Sequence, residues 1–83
     1  MKKLVSAAAI CLMLLSCDEK KISASDVPSA VVSAFNQKYP GASDVKWQIE
    51  KENDKQIYEA EFKMDGKQID AEFDADGTFI REE

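Results

Sequence analysis

The chain has 83 residues, 11 basic against 16 acidic side chains for a net charge of −5, two cysteines and no histidine. Without histidine, neither a Ser-His-Asp nor a Cys-His nucleophile can be built, nor a His-ligated zinc site. The acidic balance argues against nucleic acid, whose phosphates require a basic surface, and the length suits one small domain.

The opening "MKKLVSAAAICLMLLSC" places two lysines before an uncharged run from Leu4 to Leu15 and a small residue, Ser16, before Cys17. This is the order of a secretory signal peptide, predicted over residues 1–16. The run is too short for a permanent span, which needs about 20 residues. "LLSC" resembles a bacterial lipobox, with Leu15 a less usual middle residue. The resemblance implies that Cys17 takes diacylglycerol through a thioether and becomes the first mature residue. Acyl chains contribute about 0.8 kcal/mol per buried methylene and would fix the protein to a membrane. The expected location is the bacterial cell envelope, periplasmic or cell-surface. The plain alternative is ordinary secretion. Loss of Lys2 and Lys3 with the signal leaves 9 basic against 16 acidic residues, a net of −7. That charge disfavours anionic headgroups and favours a cationic partner. Cys11 departs with the signal, so core packing alone must stabilise the mature chain.

Residues 17–25, "CDEKKISAS", read as a polar tether without periodicity, with a reach of roughly 25 Å. The domain is expected over 26–83. Val27, Ala30, Val31, Ala34, Phe35 and Tyr39 recur at three- and four-residue steps, which predicts a helix with one apolar face. Ser25 and Asp26 are its expected caps, Pro28 suits its first turn, and Pro40-Gly41 stops it.

Strands follow. In "DVKWQIEKE", Val45, Trp47 and Ile49 point to one side and Lys46, Gln48 and Glu50 to the other. "ENDK" is a polar connection. "QIYEAEFKM" alternates again through Tyr58, Ala60, Phe62 and Met64. Asp65-Gly66 then predicts a two-residue hairpin, because a type I′ turn needs positive φ at both positions. "KQIDAEFDA" returns with Ile69, Ala71 and Phe73. With Met64 opposite Lys67, Phe62 meets Ile69, Ala60 meets Ala71 and Tyr58 meets Phe73. A slip of one residue would turn one apolar set outward.

"EFDADGTFIREE" carries Glu72, Asp74, Asp76, Gly77 and Glu83 at nearly the spacing of an EF-hand calcium loop. An EF-hand needs a helix on each side. Residues 67–73 alternate like a strand, so Ala75-Asp76-Gly77 is expected to be a three-residue hairpin loop with Gly77 left-handed. Asp74 should then pair with Thr78 and Phe73 meet Phe79 on the buried face.

The apolar helix after Pro28 ending in Lys38-Tyr39-Pro40-Gly41-Ala42, the Trp47 strand, "YEAEF", the Gly66 turn and "EFDADG" together resemble the PepSY-like family related to beta-lactamase-inhibitor proteins. The resemblance covers residues 26–81. It implies exported bacterial proteins, often lipoproteins, with one helix on a four-stranded antiparallel sheet. The inhibitor relatives carry two such units in tandem and bind an enzyme with the open sheet face. An inhibitory role for this single unit would call for two copies to associate as a homodimer.

The predicted fold is therefore α+β, one N-terminal helix packed on a four-stranded antiparallel sheet. On its outer face the hairpin register sets Glu59 opposite Glu72 and Glu61 opposite Asp70, and like charges directly across a strand pair are destabilising. Lys46, Lys63 and Lys67 are candidates to offset them. A solvated acidic surface is the plain reading of that face. The functional reading is a docking face for an envelope protein or basic peptide, through Glu59, Glu61, Asp70 and Glu72. Acid–base catalysis would need a pocket to separate two carboxyl pKa values, and one sheet with one helix offers little volume for it. The sequence thus points to a non-catalytic binding module without a cofactor. Alternatives are a divalent-cation binder using Glu72, Asp74 and Asp76, and an inhibitor of a secreted hydrolase by family analogy.

Overall fold

The computed structural model describes residues 18–83. Segment 1–16, expected to be a signal peptide, and Cys17, expected to carry lipid, lie outside the described residues. The elements run β1 (Asp18–Ile22), a 3-10 turn (Ala24–Asp26), α1 (Ser29–Lys38), β2 (Ser43–Glu52), β3 (Lys55–Met64), β4 (Lys67–Asp74) and β5 (Phe79–Glu82). The strands form one antiparallel sheet in sequential order, with α1 on one face.

Among the described residues the sheet has five strands, one more than expected. The segment read as a tether is not free after position 17: Asp18–Ile22 pairs along β2, from Asp18 opposite Lys51 to Ile22 opposite Trp47. Its four charges before one isoleucine give no apolar alternation. An edge strand with charged side chains looks like a linker in sequence, because only one of its backbone edges needs a partner.

Helix α1 also begins later than expected. Val27 is extended (φ −89°, ψ 134°) and Pro28 stands at the cap without a side-chain hydrogen bond. Proline disfavours the helical region for the residue before it, so Val27 breaks the segment into a 3-10 turn and a helix. Asp26 does not cap α1; its Oδ2 accepts from Ser23 Oγ at 3.1 Å inside the preceding turn.

Val27, Val31, Phe35 and Tyr39 are buried against Trp47, Tyr58, Ala60, Phe62, Ala71 and Phe73 from the sheet. Phe35 is the hub: its ring centroid lies 5.0 Å from Phe62, 5.3 Å from Trp47 and 6.4 Å from Phe73, all edge-on. Such geometry sets positive ring edges on negative ring faces. Complete burial of Phe62 and Phe73 contributes about 1.5–3 kcal/mol each.

Two tight turns set the central register. Asn53 and Asp54 (φ 53° and 65°) join β2 to β3, and Asp65 and Gly66 (φ 53° and 77°) join β3 to β4. Asn and Asp tolerate the left-handed region, so "ENDK" is a two-residue hairpin. The β3–β4 pairs are those expected: Tyr58 with Phe73, Ala60 with Ala71, Phe62 with Ile69, Met64 with Lys67. Val45 departs from expectation. Asp44 is left-handed (φ 52°), the β2–β3 ladder shifts between Ser43 and Lys46, and Val45 is left 37% exposed.

The C-terminal loop is a hairpin. Gly77 N–H donates to Asp74 O at 2.9 Å, Asp74 N–H donates to Thr78 O at 2.8 Å, and Gly77 has φ 93°. Phe79 pairs with Phe73 as expected, yet it is 38% exposed, with Lys38 Nζ 4.4 Å from its ring centroid. Strands on both sides of this loop stand where an EF-hand has helices. The Asp76 carboxylate accepts from Thr78 N–H at 2.9 Å, Asp74 pairs with Lys55 at 3.2 Å, and Glu72 pairs with Arg81. The three acids of the calcium-loop reading are thus turned to three separate partners.

Candidate functional site

The four acids singled out from sequence lie together on the face opposite α1. Glu59 stands opposite Glu72 and Glu61 opposite Asp70, on the central strands β3 and β4. This face is less solvated than the sequence suggests. Glu61 and Asp70 are half-buried, whereas Glu59 and Glu72 are 4% and 2% exposed. Gln48 is also buried here, and so is Ile57, which stands apart from the core beneath α1. Central strands are flanked by long side chains on both sides, so a residue at mid-sheet loses water even without a covering layer.

The cluster is wider than four residues. One carboxylate oxygen from each of Glu50, Glu59 and Glu72 lies within 4.8 Å of the others, and Glu59, Asp70 and Glu83 form a second such group. Glu59 belongs to both. Gln48 Nε2 donates to Glu59 Oε1 and, at 3.2 Å, to Glu61 Oε2. Arg81 Nη1 donates to Glu72 Oε1, and its Nη2 lies 3.8 Å from Glu52 Oε1.

Burial sets the electrostatics. Loss of water pushes the Glu50 carboxyl up to about 8, with its hydrogen bond to Glu59 and the neighbouring charges adding to the rise. Burial likewise raises Glu59, against the hydrogen bonds from Gln48 and Glu50, and Asp70 and Glu61 raise it further. Glu72 is raised by burial, with the Arg81 guanidinium opposing. Desolvation disfavours a carboxylate, so the cluster retains protons that exposed acids would release. In contrast, the hydrogen bonds from Thr78 lower Asp76.

Sequence reasoning missed Glu50, Gln48, Arg81 and Glu83. Arg81 is the instructive case. A regular ladder continuing from Phe73 opposite Phe79 would set Ile80 opposite Glu72. The β4–β5 register instead shifts between Glu72 and Phe73, and Arg81 lands opposite Glu72. A β-bulge adds one residue to one strand and turns the side chains beyond it to the other face. No residue type in "TFIREE" announces that. Of the lysines expected to offset the acids, Lys67 lies on the helix side opposite Met64. Among the described residues, Lys46, Lys63 and Lys67 form no ion pair.

The arrangement suits recognition of a cation better than catalysis. A cleft of about 340 Å³ lies between β1 and β2, lined by Ile22, Val45, Trp47, Gln48 and Glu61 among others. It includes only one of the clustered acids. Glu50, Glu59 and Glu72 could offer three oxygens to a metal, fewer than the six to eight that calcium takes, and Arg81 engages one of these acids. No described helix is long and apolar enough to cross a membrane.

A family model described as beta-lactamase-inhibitor-like, PepSY-like, matches residues 13–81. No curated protein and no solved structure matches the chain.

Proposed function

The chain belongs to the beta-lactamase-inhibitor-like, PepSY-like family, and from that premise we propose that it is a lipid-anchored, non-catalytic binding module of the bacterial cell envelope. Its partner is a protein or peptide that presents basic side chains to the open sheet face. The observation that carries this reading is the Arg81–Glu72 pair. An arginine of the chain itself already answers one of the clustered acids, as a partner's arginine would answer the half-exposed Glu61 and Asp70. Guanidinium forks bind carboxylates in fixed geometry, so such a face discriminates as well as attracts. Glu59, held by Gln48, and Glu72, held by Arg81, lie beneath Glu61 and Asp70 and fix the geometry of the face.

The family description makes an enzyme the first partner class to test, and a secreted hydrolase is a natural member of it. Anchoring rests on the "LLSC" motif at Cys17. The acidic net charge supports a cationic partner.

The test uses an arginine-rich peptide and the lipid-free domain starting at Asp18. Titration calorimetry should record binding that weakens with salt. Glu61→Lys combined with Asp70→Lys should weaken it at least tenfold while leaving the thermal midpoint near that of the parent. Equal binding by both proteins, or none by the parent, rejects the acidic face as the docking surface.

A further inference from the structure

We infer that the domain stands end-on at the membrane, with the end of the sheet that carries Asn53-Asp54 and the 75–77 loop against the lipid headgroups. This rests on the lipid anchor proposed for Cys17 and says how that anchor holds the domain.

The argument starts from where strand pairing begins. Asp18 is already in register with Lys51, and pairing continues without a break through Ile22 opposite Trp47. Only one peptide link, about 3.8 Å between Cα atoms, separates Asp18 from Cys17. An acyl chain on Cys17 is therefore attached at a corner of the sheet and not at the end of a free tether. Releasing β1 to lengthen the connection would break the ladder to β2 and remove Ile22 from beside buried Trp47.

The antiparallel order fixes what shares that corner. β2 ends there at Glu52, the Asn53-Asp54 turn follows, and β3 starts at Lys55. Asp74, at the end of β4, pairs with Ile57 and makes an ion pair with Lys55, so the 75–77 loop belongs to the same end. Ser43 and the Asp65-Gly66 turn lie at the other, while Ile22 and Glu82 stop at mid-height, level with Trp47, Ala60 and Ala71. β3 has ten residues. At about 3.3 Å per residue the far turn stands roughly 30 Å further out.

The helix side of the membrane end has a groove of about 290 Å³ lined by Lys20, Ile49, Lys51 and Gln56. Two ammonium groups beside an aliphatic floor are the chemistry that receives a headgroup phosphate. Glu52, Asp54, Asp74 and Asp76 share this end, so charge does not hold the orientation; the covalent position of the lipid does. The acidic face then stands perpendicular to the bilayer, open sideways to a partner in the same envelope layer.

The test uses the acylated protein, made in a bacterial host and reconstituted in phosphatidylethanolamine–phosphatidylglycerol vesicles with a nitroxide-headgroup lipid. Asn53→Cys, Ala75→Cys and Asp65→Cys each carry a fluorophore, the lipid having consumed the thiol of Cys17. Quenching should be several-fold stronger at positions 53 and 75 than at 65. Ten Gly/Ser residues inserted between Cys17 and Asp18 should level the three. Level quenching in the chain of native length, or stronger quenching at 65, overturns the orientation. Palmitate incorporation that is lost in Cys17→Ala tests the anchor separately. Without incorporation in the parent, anchor and orientation fall together; incorporation with level quenching removes the orientation alone.

Discussion

Glu59 and Glu72 face one another directly across the two central strands, both almost wholly removed from water, and each is answered by a different donor: Gln48 for Glu59, Arg81 for Glu72. Two buried acids in register repel each other, and the donors offset that repulsion only in part. The open face therefore stores unfavourable electrostatics that the aromatic core on the other side of the sheet outweighs.

The first consequence is a pH dependence. Glu50 in the folded chain is raised to about 8, against an ordinary value of 4.5. Between those limits the unfolded chain has lost a proton that the folded chain keeps. Stability should therefore fall as pH rises through that window, then level above it. Glu59 and Glu72 are raised too and act in the same direction. Urea midpoints across this range should decline, and Glu50→Gln should flatten the decline. A midpoint that climbs with pH over this window would contradict the cluster.

Arg81 is expected to matter through Glu72. Arg81→Met leaves a buried acid without its cation and should cost about 1–3 kcal/mol at neutral pH. Arg81 is itself partly exposed, which keeps the cost below that of breaking a fully buried pair. In a Glu72→Gln background the same change should cost much less. A double-mutant cycle with no coupling would show that the pair contributes nothing.

Gly77 should tolerate no side chain. Its φ is 93°, and an added Cβ would lie 2.7 Å from the carbonyl oxygen of Ala30 at the start of α1. Gly77→Ala is expected to destabilise by about 1–3 kcal/mol, from backbone strain and from displacement of the helix. Gly41 has nothing within 4 Å of such a Cβ. Gly41→Ala should change stability by no more than about 0.5 kcal/mol. Equal unfolding midpoints for the two variants would rule out the close approach of loop and helix.

Removal of β1 tests the fifth strand. A domain starting at Ser23 loses Ile22 from beside Trp47, the sole tryptophan. Its emission should shift to longer wavelength, with stability lowered on the order of 1–3 kcal/mol. Unchanged emission and stability would restore the tether reading.

The sequence by itself determined the two-sided strands, the apolar stripe of α1 and the pairing of β3 with β4. Alternation at period two combined with a two-residue Asp-Gly turn admits a single register, and that register already placed Glu59 against Glu72. Three features were decided only by the tertiary structure. β1 formed because an open edge of β2 lay beside a charged segment whose composition resembles a linker. The bulge in the β4–β5 ladder carried Arg81 to the acidic face. Burial of Glu59 and Glu72 came from flanking strands that crowd mid-sheet positions. In each case the cause is a neighbour distant in the chain, and local residue patterns record only near neighbours and the backbone angles that they prefer.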